Sequence, residues 1–417
     1  MTGKEKLKNS LNHKNGPVPI DFGGSSTSGM HCSVVAELRE YYGLEKKPVK
    51  IHEPYQMLGY IGTDLQEAMG VDLIGIMPRN TMFGFPLKGW KEWRTPWGQE
   101  VLVPGGFNVT IDSGDLYIYP QGDLSVPPSG HMPSGGYFFD SIIRQQPIDN
   151  EKLNAEDNLE EVKLFDDDDL DYYRIACAEA AATDKGLIIN FGGTAFGDIS
   201  EIPGPGLKYP KGIRDITEWY ISTLIRQDLI HEIYKKRLKI VIRNLEMVFK
   251  VVGNTPDAVF VCGTDFGTQT SQFCSLDTYE ELWAPYYKEM NGWIHKNTEW
   301  KTFKHSCGAV EPFLQSFIES GFDIINPVQC SAVGMEPEHL KSAYGDKITF
   351  WGGGIDTQHT LPFGTPDEVK AEAESRLAVF SENGGYVFNA IHNIQAKTPI
   401  SHVVALLETA HRFNDGR

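Results

Sequence analysis

The residues best equipped for chemistry are His305, Ser306 and Cys307, which directly follow the apolar run WKTFK (300–304). At an extended strand end, residues i and i+2 point the same way, so the imidazole and the thiol can converge on one ion. Zinc accepts this nitrogen and sulfur set, and a catalytic zinc keeps three protein ligands and one open position. His392 follows the run YVFNAI (386–391) and Cys330 follows IINPV (324–328), so both compete for the third place. Cys330 also reads as a small buried hydrophobe beside Gln329, as Cys262 and Cys274 do in their own surroundings.

A metal site of this kind needs elements that bring distant strand ends together. The runs GLIINF (186–191), AVFVCG (258–263), WKTFK, IINPV, ITFW (348–351) and YVFNAI alternate with amphipathic segments such as VEPFLQSFIES (310–320). Upstream, VPIDF (18–22) and DLIGI (72–76) supply two more strands, with helices predicted over 33–42 and 54–69. This alternation predicts an α/β chain with a parallel sheet, and the number of units favours one (β/α)8 TIM barrel spanning residues 1–417. Residues 85–148 break the rhythm with glycines, prolines and aromatics, and the stretches 97–109 and 116–119 alternate like strands. They predict a β-hairpin insertion over the C-terminal mouth of the barrel.

Barrel sites are assembled from the loops after the strands, which singles out the polar residues there. Asp265 follows AVFVCG and reads as a direct ligand, a partner that supports the metal ligands or a substrate contact, against a plain loop cap. Gln395 is the other catalytic candidate. Asp21, Gln269, Gln329, Asp356 and Asn393 also stand after strands and are candidates to touch substrate. Gly23 and Gly24 suit a tight turn better than a phosphate cradle. Trp93 and Trp97 suit lid packing or substrate stacking equally.

Composition narrows the function classes. Of the 417 residues 41% are hydrophobic and 23% charged, an ordinary globular balance. A net charge of −18 without a clustered Lys/Arg surface argues against nucleic acid. The acidic run 166–169 reads as a solvated loop and helix entrance. No window approaches a membrane span, the basic first residues precede no apolar stretch, and the six cysteines lack framework spacing. These features predict a cytoplasmic enzyme with reduced thiols.

The pieces TDFGTQ (264–269), HSCG (305–308), ESGFDIINPVQ (319–329), FWGGGIDTQ (350–358) and VFNAIHNIQAKTP (387–399) together resemble the uroporphyrinogen decarboxylase superfamily. VPIDFGG resembles its first strand more loosely, and residues 85–170 carry no such motif. The superfamily holds decarboxylases and zinc-dependent, corrinoid-linked methyltransferases. A decarboxylase of this kind grips a polyanionic porphyrinogen with arginines after the first strand, yet residues 16–37 contain no Lys or Arg. The methyltransferase branch pairs an HxC motif with a later third ligand, usually cysteine. Here His392 holds that place, a feature also similar to the decarboxylase branch.

Zinc with two thiolates is neutral, whereas zinc with one is +1 and a stronger Lewis acid, suited to polarising an ether oxygen. The resemblance therefore implies zinc on His305, Cys307 and His392. It implies a small methyl donor, such as a methoxylated aromatic, and a corrinoid protein as methyl acceptor. Asp265 and Gln395 would orient donor or metal. The alternatives are a decarboxylase of a different carboxylate, or a non-catalytic barrel that holds a corrinoid or tetrapyrrole without metal. Incubated with uroporphyrinogen, the protein should release no coproporphyrinogen detectable by porphyrin fluorescence after oxidation. Robust turnover would mean that Arg39, Arg79 or Arg94 builds a clamp outside the first loop.

Overall fold

The computed structural model describes residues 1–416. In chain order the strands are β1 (Val49–Glu53), β2 (Leu58–Gly59), β3 (Leu73–Ile76), β4 (Lys91–Arg94), β5 (Glu100–Val103), β6 (Val109–Asp112), β7 (Asp115–Ile118) and β8 (Gly130–Met132). They continue with β9 (Asp140–Ser141), β10 (Gly186–Ile189), β11 (Ala258–Cys262), β12 (Lys301–His305), β13 (Ile324–Asn326), β14 (Thr349–Trp351) and β15 (Tyr386–Val387). Strands β3, β10, β11, β12, β13, β14 and β15 lie side by side in that order, and every pairing is parallel.

The eighth place is held differently from the prediction. The VPIDF stretch makes a single parallel bridge, Ile20 to Phe388, rather than a full strand, because Pro17 and Pro19 have no amide proton to give a ladder. It nonetheless bonds to both edges of the sheet. Phe388 N donates to Pro19 O and Asp21 N to Phe388 O, while Asp72 N, just before β3, donates to Ile20 O, each at 2.9 Å. The parallel sheet is thereby curled into the arrangement of a (β/α)8 barrel.

Alternation along the strands separates two cores. Leu73, Ile188, Ala258, Phe303, Ile324, Trp351 and Val387 meet inside the sheet, joined by Leu7 and Leu11 of helix Gly3–Leu11. Each fully buried side chain of this size contributes about 1.5–3 kcal/mol. Lys4 N donates to Asp184 O just ahead of β10, so this helix plugs the N-terminal end and the opposite end is left for chemistry. The outward side chains pack against helices such as Gln227–Val252, whose buried Ile230, Ile233, Tyr234, Leu238, Val241, Leu245 and Val248 recur at helical spacing. The acidic run does open a helix: Asp166 caps Asp167–Ala181 in a reciprocal box with Asp169, and Arg79 pairs with Asp166, Asp168 and Asp169.

The region 85–148 is more than a hairpin. Strands β4 and β5 form one antiparallel pair, but β5 also runs parallel to β1, giving the sheet β2-β1-β5-β4. Strands β6 to β9 form a second, antiparallel sheet. The free edge of β5 thus finds its partner about fifty residues earlier in the chain, a pairing that local alternation cannot reveal. The helix predicted over 54–69 starts at Thr63 instead. The Glu53 carboxylate accepts the amides of Tyr55 and Gln56 at 3.0 and 2.8 Å, making a turn that feeds β2. Among the described residues no helix is long and apolar enough to cross a membrane, and no cysteine is paired.

Asp21 lies in the wall rather than on it. Its side chain is fully buried, with Oδ2 accepting Trp351 Nε1–H at 2.8 Å and Oδ1 accepting the Gly24 amide at 2.9 Å. Burial raises its pKa despite those donors. Trp351→Phe should cost about 2 kcal/mol by stranding a buried acceptor, read as a lower urea midpoint. An unchanged midpoint would show that the Asp21 anchor carries no stability.

Candidate metal centre

His305 ends β12 and Asn326 ends β13, and the two are direct partners in the parallel register. Their side chains lie side by side, with Asn326 Oδ1 at 2.6 Å from His305 Nδ1. The amide is oriented from its other end, because Asn326 Nδ2 donates to the Trp351 carbonyl at 2.8 Å. An oxygen facing Nδ1 makes that nitrogen the protonated one and leaves the Nε2 lone pair free for an ion. Cys307 is fixed through its backbone, whose amide donates to Asp265 Oδ1 at 2.7 Å. Its Sγ stands 3.4 Å from His305 Nε2. His392 completes the group: its ring centre is 5.6 Å from that of His305, and the ligand atoms of all three lie within 4.8 Å of one another.

The donor set fits zinc. Bonds of about 2.3 Å to sulfur and about 2.05 Å to nitrogen put tetrahedral N and S ligands roughly 3.5 Å apart. The observed 3.4 Å between His305 and Cys307 meets that requirement. Electrostatics agree. Burial pushes the Cys307 thiol well above its ordinary value and Asp265 pushes it further, so a thiolate there calls for a cation. Burial, helped by repulsion from His305, brings His392 down to about 4, which keeps it a neutral imidazole with a lone pair to give. Cys330, the rival third ligand, stands outside the group; its Sγ leans on the Val328 carbonyl at 3.4 Å, and burial pushes its thiol up to about 12.

Two cavities meet at these side chains. One of about 450 Å³ is lined by Asp265, His305 and His392 together with Glu53, Asp198 and Phe260. The other, about 400 Å³, is lined by Cys307 and His392 with Gln269, Gln329 and Asp356. Asp265 also lies 3.9 Å from His305 Nε2, so it faces both the ligand loop and the larger space. Gln329 Oε1 accepts the Gly308 amide at 2.8 Å, Gln269 Nε2 donates to Gln358 at 3.1 Å, and Asp356 Oδ1 caps the amides of Gln358 and His359. Gly308 needs its positive φ of 88°, and its backbone packs directly on that of Gly267, where a side chain would not fit.

Asn393 and Gln395 stand apart from both linings. Gln395 Nε2 donates to Asn393 Oδ1, and Asn393 Nδ2 donates to the Ser26 carbonyl and Gln56 Oε1, tying the last loop to the first. Trp97 packs between His31 and Tyr137, each 5.1 Å away, and Trp93 on Phe107 at 5.0 Å; both are packing residues of the small sheets. Of residues 85–148, Leu87 reaches the larger cavity.

Sequence reading passed over Asn326, although a polar residue before proline at a strand end was a usable signal. It also passed over Lys304, which is fully buried. Its ammonium donates to the carbonyls of Thr264 and His305 at 2.8 and 3.1 Å and lies 4.8 Å from the Phe266 ring, clamping the ends of β11 and β12. Glu53 and Asp198 escaped because one sits in a strand that went unpredicted and the other in a long loop.

Comparison with known proteins agrees with this architecture. Residues 209–413 match the uroporphyrinogen decarboxylase (URO-D) family. The uroporphyrinogen decarboxylase of Coxiella burnetii is 25% identical over 191 residues, 45% of this chain and 48% of that protein. That of Burkholderia mallei is 36% identical over 62 residues, 15% of this chain and 16% of that protein. The chain thus spans about half the length, or less, of these curated relatives. A solved methyltransferase from Methanosarcina mazei shares the fold over 99% of both chains, with a TM-score of 0.55 and 14% identity. The uroporphyrinogen decarboxylase match thus lies in the C-terminal half of the chain, and the solved methyltransferase shares the fold.

The purified protein should carry about one zinc per chain by plasma emission spectrometry, matching three donors around one open position. Cys307→Ser should empty the site and leave the circular dichroism spectrum unchanged. Metal-free protein from a chelator-free preparation would remove the centre.

Proposed function

We propose that the protein is a zinc-dependent methyltransferase, moving a methyl group from a small donor such as a methoxylated aromatic to the cobalt of a corrinoid protein. The observation that carries this reading is the convergence of His305, Cys307 and His392 where two cavities meet. Zinc bound by these residues supplies Lewis acidity toward an ether oxygen. The chain's own residues set the conditions. Cys307 contributes one negative charge and the two imidazoles none, so the ligand set leaves a cationic site. Asn326 holds the His305 tautomer, and Asp265 holds the Cys307 amide while facing the donor cavity. Gln395 acts at one remove, positioning Asn393 and through it the first loop.

A corrinoid partner, when bound, would supply the nucleophilic electron pair that takes up the methyl group. The carbon–oxygen bond breaks, and the oxygen departs as an alkoxide or phenolate that takes up a proton. A second reading, decarboxylation of another carboxylate, is favoured by the names of the matched relatives and by a histidine at position 392. Against it, among the described residues neither cavity is lined by a Lys or Arg to hold a carboxylate.

With cob(I)alamin or a cognate corrinoid protein and a panel of methoxylated donors, the visible spectrum should change to that of methylcobalamin. His392→Cys should keep the metal and slow transfer from an ether about tenfold, roughly 1.4 kcal/mol of barrier. Unchanged demethylation in that variant would defeat the charge argument. A broad donor screen yielding no methylcobalamin from zinc-loaded protein would defeat the methyltransferase reading and promote the decarboxylase.

A further inference from the structure

The walls of the two cavities carry charge of one sign. Glu53, Asp198, Glu201 and Asp265 line the larger one and Asp356 the smaller, and among the described residues no lysine or arginine lines either. The cations on adjoining elements are already engaged. Arg237 pairs with Glu201 at 2.7 Å, Arg79 with Asp166, Asp168 and Asp169, and Lys304 turns its ammonium to backbone carbonyls behind the strand ends.

Glu53 and Asp198 have no such counterpart and form no ion pair among the described residues. Glu53 is only 8% exposed and is held by the amides of Tyr55 and Gln56. Asp198 Oδ1 accepts the amide and the hydroxyl of Ser200 at 2.9 and 2.7 Å. Neutral donors fix both in place; burial lifts the Glu53 pKa to about 7, so Glu53 is partly charged near neutral pH and its share of the wall's charge grows as pH rises. A cationic metal site does not reverse the sign of the wall, because Asp265 stands 3.9 Å from His305 Nε2 and offsets it locally. A ligand bearing a carboxylate would enter a partly desolvated space against the unpaired Asp198 and the ionised fraction of Glu53, where like-charge contact costs most.

We infer that this cavity selects its methyl donor by charge, excluding carboxylated methyl ethers and admitting donors without negative charge, with Glu53 and Asp198 as the determinants. The inference rests on the methyltransferase reading for the word donor, but its test reads binding. Three probes share one methoxyaryl frame and differ in charge: 4-methoxybenzylamine, 4-methoxybenzyl alcohol and 4-methoxybenzoate. Titrated calorimetrically into the zinc-loaded full chain, the amine and the alcohol should bind at least about tenfold more tightly than the benzoate. Glu53→Gln and Asp198→Asn, both nearly isosteric, should each narrow that gap.

Benzoate binding as tight as the alcohol in the unaltered protein overturns the inference, as does a failure of all three probes to bind. A gap that persists unchanged in both variants removes Glu53 and Asp198 as its cause and overturns the assignment. The two readings separate cleanly. Amine and alcohol binding in this order without methylcobalamin formation keeps charge selection and removes methyl transfer. Methyl transfer from the benzoate at a rate equal to the alcohol does the reverse.

Discussion

The proton on His305 Nδ1 is committed to Asn326, and that bond governs what the rest of the site can do. It is the inner link of a longer chain. Asn326 is held by the Trp351 carbonyl, and the Trp351 indole is held by the buried carboxylate of Asp21. Asp21 belongs to the segment that bonds both edges of the parallel sheet. Barrel closure and ligand orientation are therefore mechanically one thing: the residue that seals the sheet also holds, two bonds away, the amide that selects the histidine tautomer. Sub-ångström placement of a ligand is worth this much support because a misplaced donor costs affinity steeply.

Beside this neutral chain lies an ionic one. Lys304 is buried without a carboxylate partner, an arrangement tolerated because carbonyls of Thr264 and His305 and three aromatic rings surround it. Its charge sits on the far side of the strand end from the cavities, near the Cys307 thiol that burial and Asp265 drive toward protonation. The strand end thus separates a buried positive charge outside from negative walls inside. An ion at His305, Cys307 and His392 would occupy the boundary between them.

Much of this was legible in the sequence, for a physical reason. Strand ends in a barrel are marked by a switch from apolar to polar residues, so His305, Cys307, His392 and Asp265 could be placed near one another without knowing the sheet. Gln269, Gln329 and Asp356 followed from the same rule and do line the smaller cavity. The rule misplaced Asp21 because it counts a polar residue without asking whether a neighbour will consume it; Trp351, 330 residues away, does so. Asn393 was consumed in the same way, by Ser26 and Gln56, and Gln395 by Asn393. The small sheets were out of reach since β1 joins β5 across an intervening barrel strand, a pairing encoded by no local period.

Family and fold do not choose between decarboxylation and methyl transfer, because chemistry belongs to the site. The walls here carry acidic side chains and, among the described residues, no lysine or arginine, which argues against holding an acidic substrate for loss of carbon dioxide. They also make any negative charge developing on a neutral ether oxygen expensive, since the space is narrow and partly desolvated. That second consequence turns into an argument for the metal site. With no lysine or arginine on either lining among the described residues, the three-ligand group is a place at which such charge could be met. A ligand set with a single thiolate meets it better than one with two. Under the proposed reading, negative walls and a metal held by the three ligands would be parts of one design: the walls would admit the uncharged donor, and the centre would receive the charge that appears only as its methyl group departs.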